Sequence, residues 1–156
     1  MVELTRGNLL HANVDAVVNA VNTKGIMGKG IALQFRRAYP DNYEAYRKAC
    51  AAGEVQPGRK FIFDRETPAN PRYIINFPTK RDWRRQSQIV DTETGLEALV
   101  KDVLRTSIRS VAVPALGCGN GGLLWPDVLQ RIRTAFELAP EVRWLVFEPD
   151  PEWLQK

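Results

Sequence analysis

The stretch NAVNTKGIMGKGIAL, residues 19–33, decides how the chain is read. It continues the apolar run Ala16-Val17-Val18, passes through Asn19 and Asn22, and then places Gly25, Gly28 and Gly30 within six residues. Ile31, Phe35, Ala38 and Tyr39 follow at helical spacing, and Pro40 marks the stop. A valine-rich segment leading through a glycine-rich turn into an amphipathic pattern predicts a strand, a turn and a helix. Glycine lets backbone N–H groups approach a ligand with no Cβ in the way. Free N–H groups and the helix dipole at such a turn both favour negative charge. The stretch therefore points to a diphosphate ligand.

The flanking sequence repeats the alternation. Val2–Thr5 predicts a strand that ends in the turn Arg6-Gly7-Asn8, and residues 16–20 a buried one. Asp41 with Glu44 suggests a capping box for a second helix that stops at Gly53. Strands are expected at Phe61–Asp64 and at 73–77. Thr94 with Glu97 suggests another capping box, with Leu96, Leu99, Val100, Val103 and Leu104 as the apolar stripe of its helix. A strand at 111–114 leads into the loop LGCGNGGLLW, residues 116–125. Pro126 opens a last helix with Val128, Leu129, Ile132 and Phe136 inside, and residues 142–147 form the closing strand. The fold class is α/β, with a mixed, largely parallel sheet and helices on both faces. Both glycine loops then fall at carboxyl ends of strands, where such sheets bind ligands.

Bulk properties narrow the field. A chain of 156 residues predicts one domain with a sizeable core. Its 44% hydrophobic and 26% charged residues are those of a soluble protein. Net charge +4 admits an anionic partner without demanding one. Cys50, Cys118 and His11 give neither a disulfide framework nor metal-ligand spacing, so a reduced, cytoplasmic setting without metal is expected. MVELTRGN lacks the apolar core of a signal peptide, and no apolar run approaches membrane-spanning length. The ending PDPEWLQK is compatible with a linker into a further domain.

Two phosphate-loop motifs can be tested directly. A Walker A loop needs G-x-x-x-x-G-K-[ST]. The window ending at Gly28-Lys29 begins with Thr23 and continues with Gly30, so it fails at both ends. The run Gly117-Cys118-Gly119-Asn120-Gly121-Gly122 does contain G-x-G-x-x-G after a strand, and Glu148 ends the next strand. Pro126 delays the helix, however, and one strand remains downstream, so the dinucleotide reading is weak. It predicts tight binding of NAD. Single glycine turns are usually tight turns and nothing more; two at strand exits are harder to explain that way.

Taken together these residues resemble the macrodomain family, the ADP-ribose-binding α/β/α module, over essentially the whole chain. Gly7-Asn8-Leu9 is similar to the family's early Gly-Asp-Ile turn. DAVVNAVN, residues 15–22, resembles its strand ending in N-A-x-N, and residues 117–123 its second phosphate loop. The first loop lacks the G-G-G-V-D-G run of MacroD-type hydrolases. KGIMGKGIALQF, residues 24–35, instead resembles the branch of the human terminal ADP-ribose glycohydrolase. NFPTKRDWR, residues 76–84, and GCGNGGLLW, residues 117–125, are most similar to the DarG-type antitoxins within that branch. The resemblance implies a single three-layer macrodomain over residues 1–156, and a glycohydrolase that frees ADP-ribose from thymine in single-stranded DNA. It also implies a DarT-type toxin as partner and no cofactor. Two other readings stay open: a non-catalytic reader of ADP-ribose groups, and a hydrolase of ADP-ribosylated protein side chains.

Lys80 is the candidate catalytic residue. It follows a strand exit, where a neutral amine can attack the anomeric carbon and form a Schiff base. Attack needs the uncharged amine, which burial or the neighbouring cations Arg81, Arg84 and Arg85 would favour. Without the family, one surface cation among 22 basic residues is the plainer reading; the resemblance implies the catalytic one. It also implies ADP-ribose contacts along Asn19 and Asn22, with Asn22 at the distal ribose. Asn8 replaces the aspartate that reads adenine, and Leu9 and Phe147 would sandwich or edge-pack the base. Backbone N–H groups of Gly28, Lys29, Gly30 and Ile31 would hold one phosphate. Those of Gly119, Asn120, Gly121, Gly122 and Leu123 would hold the other, with Gly117 and Cys118 also among the ADP-ribose contacts. A loop-capping amide is the plainer role for Asn22, and core packing for Leu9 and Phe147. Gly121 stands where the human relative has an aspartate that completes the reaction, so a two-residue mechanism does not carry over. Cys118 has no adjacent base and is no nucleophile candidate. Trp83 with Arg84 and Arg85 pairs an aromatic ring with cations, as single-strand binders do; a solvated basic turn is the plainer reading. Arg36, Arg37, Arg59 and Lys60 are candidates for extending that basic track.

Overall fold

In the computed structural model, which describes residues 1–28, 30–80, 87–118 and 122–149, the valine-rich run Ala16–Val21 is an interior strand. It is flanked by strands on both sides and covered by helices on both faces, so it reads as a nearly continuous apolar run. Among the described residues the strands are β1 Val2–Thr5, β2 Ala16–Val21, β3 Phe61–Asp64, β4 Tyr73–Pro78, β5 Ser110–Val113 and β6 Arg143–Phe147. The helices are α1 Gly30–Ala38, α2 Pro40–Ala51, α3 Ile89–Arg105 and α4 Trp125–Phe136, with a 3-10 turn at Leu9–His11. The six strands form one sheet in the order β1-β6-β5-β2-β4-β3. Every pairing is parallel except that of β3 with β4. None of the described helices is long and apolar enough to cross a membrane.

Alternation along each strand divides the core into two sides. Ala16 and Val18 of β2 pack with α3 and α4, around Leu96, Leu99, Ile132 and Trp144. Val17 and Val21 face the other side, where Phe35 of α1 and Tyr46 of α2 are fully buried. The result is the expected three layers, helices on a mixed and largely parallel sheet.

Three local expectations are corrected. The Asp41/Glu44 capping box does not form: α2 begins at Pro40, its N-cap Tyr39 makes no side-chain cap, and Glu44 pairs with Arg47 at 3.2 Å. Proline has no N–H to lose in a first turn and its φ is already helical, so Pro40 opens α2 directly behind α1. The Thr94/Glu97 box also fails. Helix α3 starts at Ile89, and Thr94 Oγ1 donates back to the Val90 carbonyl at 2.9 Å from inside the helix. The apolar stripe is trimmed too, since Leu104 and Ala38 are exposed while Ala32 is buried.

Gly95 lies inside α3, where glycine normally weakens a helix. A Cβ there would overlap the ring of Phe77, which is fully buried at the end of β4. The helix thus sits against β4 at a distance that a methyl group forbids. Gly95→Ala is expected to lower stability by about 1–2 kcal/mol, overpacking outweighing the gain in helix propensity. A thermal melt checks it; an increase in melting temperature would contradict the tight approach.

Candidate functional site

Because β1, β2, β4, β5 and β6 run parallel, their carboxyl ends open on one edge of the sheet. There the structure contains a cavity of about 850 Å³, a size suited to a nucleotide-like ligand. Five strand exits line it. Residues 6–9 follow β1, and Ala20, Val21 and Asn22 end β2 and lead into Ile26, Gly28, Gly30 and Ile31. Thr79 and Lys80 follow β4, residues 114, 115, 117 and 118 follow β5, and residues 147–149 end β6.

The first glycine loop is organised around the Asn22 side chain. Asn22 Oδ1 accepts from the Lys24 N–H at 2.9 Å and the Ile26 N–H at 3.4 Å, and Nδ2 donates to the Ile26 carbonyl at 2.7 Å. Asparagine at a strand exit commonly folds a turn in this way. Asn22 thus lines the cavity and also staples its loop. Gly25 adopts φ 83°, a backbone state that glycine enters without strain.

Lys80 is half-buried and lines the cavity. The Thr79 N–H donates to the Val21 carbonyl at 2.9 Å, which continues the β4–β2 pairing past Pro78. Since Val21 pairs with Pro78, the strand register places Asn22 and Lys80 on neighbouring exits. Asn8 also lines the cavity, but its Oδ1 accepts the Leu10 N–H at 3.0 Å and caps the turn Leu9–His11. Leu9 and Phe147 border the cavity and also pack into the α1-side core. Burial pushes the Cys118 thiol up to about 12, which leaves it protonated at neutral pH and without a nucleophile's character.

Several expected contacts fall elsewhere. Asn19 is fully buried and does not line the cavity. Strand alternation turns it inward, where Nδ2 bonds Asn76 Oδ1 at 3.3 Å. Gly122 and Leu123 are also off the lining. The Leu123 N–H closes back on the Gly117 carbonyl at 2.9 Å and its side chain packs against the core. Lys29, Gly119, Asn120, Gly121, Arg81, Trp83, Arg84 and Arg85 lie outside the described residues. Of the more distant cations, Lys60 is buried in an ion pair with Asp102, and Arg36 stacks on Tyr43 at 4.4 Å. Neither lines the cavity, and nor do Arg37 and Arg59.

Arg6 and Glu148 line the cavity and form an ion pair at 3.4 Å, a contact the sequence reading missed. They meet because Thr5 pairs with Phe147, which sets the next residue of each strand side by side. The signal lies only in that pairing of the chain's first and last strands. Gln34, Ile26 and Thr79 were missed too, each lying one loop or one helical turn from a residue that was singled out.

Comparison with known proteins gives a consistent result. A model of the Macro domain matches residues 18–132. The DNA ADP-ribosyl glycohydrolase of Thermus aquaticus is 56% identical over 149 residues, covering 96% of this chain and 41% of that protein. The chain thus spans about two fifths of the length of the curated relatives it matches. The solved macrodomain of Thermus aquaticus DarG superposes with a TM-score of 0.92 over 96% of this chain and 99% of that one. The macrodomain of Mycobacterium tuberculosis DarG gives 0.94 at 47% identity, with the same coverage. Thermosipho africanus DarTG, solved in complex with ADP-ribose, gives 0.88 at 28% identity over 99% of this chain and 46% of that one. A Thermosipho africanus fusion of a DNA ADP-ribosyl transferase with a DNA ADP-ribosyl glycohydrolase is 33% identical over 142 residues, covering 81% of this chain and 37% of that protein.

Proposed function

The chain belongs to the macrodomain family, and from that membership we propose that it removes ADP-ribose from DNA bases by hydrolysing the N-glycosidic bond. The observation that carries the reading is the meeting of Lys80 with both glycine loops on one cavity. Identity of 56% to a DNA ADP-ribosyl glycohydrolase supports it.

In this reading the diphosphate lies against the backbone of Gly28, Gly30 and Gly117, and Asn22 holds the distal ribose beside Lys80. The neutral amine of Lys80 attacks C1 of that ribose, and the bond from C1 to the base nitrogen breaks. The leaving base takes the proton that the attacking amine gives up. Ring opening converts the adduct to a Schiff base. Water then hydrolyses it, returning the amine and free ADP-ribose. One water is consumed for each bond broken, and the DNA is left intact. Trp83, Arg84 and Arg85 stand a few residues after Lys80 in sequence, and we assign them to the DNA strand around a modified thymine. The partner is a DarT-type DNA ADP-ribosyltransferase toxin, by analogy with the Thermosipho africanus fusion.

The test is release of ADP-ribose from a single-stranded oligonucleotide carrying ADP-ribosylated thymine, with an ADP-ribosylated peptide in parallel. Release from the oligonucleotide is expected. Release from the peptide alone would move the function to protein deacylation. No release from either, with ADP-ribose still bound, would leave a reader.

A further inference from the structure

Helix α2 faces the first glycine loop with polar groups one turn apart, and none of them lines the cavity. Asn42 and Tyr46, four residues apart, fall on the same face of the helix, and both are fully buried. Asn42 Nδ2 donates to Asn76 Oδ1 of β4 at 3.1 Å, and Asn76 Nδ2 donates back to Asn42 Oδ1 at 2.8 Å. That reciprocal pair fixes α2 against the sheet. One turn on, the Tyr46 hydroxyl lies 2.8 Å from the Asn22 carbonyl oxygen and 3.1 Å from Asn22 Oδ1. Gly25 rests directly on the same helix: a Cβ there would sit 3.4 Å from Arg47 Cγ and 3.6 Å from Cys50 Cβ.

We infer that Tyr46 is a positioning residue for the ADP-ribose site, its hydroxyl holding Asn22 and through it the glycine loop. The inference rests on the proposed reading of the cavity as an ADP-ribose site. The physical case is that Asn22 has two tasks. Its amide folds the turn from inside, while bonds to α2 tie that turn to the rest of the protein. Tyr46 supplies the tie from a rigid helix, itself locked to β4 by Asn42 and Asn76. Burial raises the hydroxyl far above its ordinary pKa, so it remains a donor throughout the working pH range. A loop held in its ligand-binding shape before the ligand arrives binds more tightly, because less ordering remains to be done.

Two variants and calorimetric titration with ADP-ribose test this. Tyr46→Phe removes the hydroxyl and keeps the ring. Gly25→Ala acts from the loop side, since φ 83° is a backbone state that a side chain strains, so the loop must shift to accept the methyl group. Each is expected to weaken ADP-ribose binding about tenfold, the size of one lost hydrogen bond, with Tyr46→Phe melting within a few degrees of the parent. A purely structural Tyr46 would lower the melting temperature and leave the affinity of the folded protein unchanged, and that outcome overturns the inference. Gly25→Ala gives an independent reading should Tyr46→Phe fail to fold; affinity within twofold of the parent would overturn the inference there as well. If the parent protein itself does not bind ADP-ribose, the reading of the cavity falls and the inference with it. If the parent binds and both variants match it, the inference alone falls.

Discussion

Replacing Lys80 by alanine is expected to reduce ADP-ribose release from a modified oligonucleotide by at least about a thousandfold, while ADP-ribose affinity stays within about threefold. The expected asymmetry follows from where the residue sits. Its backbone is fixed by the Thr79 N–H bonded to Val21, so truncating the side chain leaves the strand exit in place. The proposed phosphate contacts come from other exits, at Gly28, Gly30 and Gly117. Lys80→Arg separates two explanations of the same loss. A guanidinium keeps the positive charge but has no free amine to form a Schiff base. It should be as inactive as alanine if Lys80 acts as a nucleophile. More than about a tenth of parental turnover in the arginine variant would mean that the charge itself does the work. Borohydride gives a second readout. Reducing the C=N bond should trap ADP-ribose covalently on the parent protein and on neither variant.

Trp144→Ala is expected to be the most damaging change to stability, about 3–5 kcal/mol, or a fall in melting temperature of roughly 10 °C. Trp144 is fully buried in β6, stacks on Phe136 at 3.8 Å and 8°, and donates its indole N–H to the Ala139 carbonyl at 3.1 Å. Truncation opens a cavity on the side of the sheet covered by α3 and α4, and leaves a buried carbonyl without that partner. Strand alternation places Trp144 on the opposite face from Phe147, which borders the ligand cavity. Activity of the folded fraction at low temperature should therefore stay near the parental value. A denaturant titration showing less than about 1 kcal/mol of loss would mean that the Phe136–Trp144 stack is not central to the core.

The two large-effect sites differ in how visible they were. Lys80 stands out by its place just past a strand and before a run of cations, and the family resemblance gave it a role. Trp144 falls in a strand that was anticipated, but nothing in its neighbours announces a partner eight residues earlier. Asn19 and Asn22 make the same point within one motif. Both are asparagines at the end of a valine strand, yet alternation turns Asn19 into a buried amide network while Asn22 reaches the cavity. The capping boxes failed because a residue pattern records what a helix end can use, not where packing makes the helix begin. Thr94 has the right neighbours, but contact of Gly95 with Phe77 holds that stretch inside α3.

The sequence by itself determined the α/β alternation, the placing of glycine loops at strand exits, and Lys80 beyond β4. Those are local facts, carried by side-chain periods of two and 3.6 residues and by glycine's freedom at a turn. Only the tertiary structure decided that β1 lies beside β6, which brings Arg6 against Glu148 at the cavity. It also decided that α2 reaches under the first glycine loop to hold Asn22 through Tyr46. These contacts join residues 142 and 24 positions apart in the chain. They depend on which strands pair and which helix covers which face, a choice made by the free energy of the whole core rather than by any local pattern.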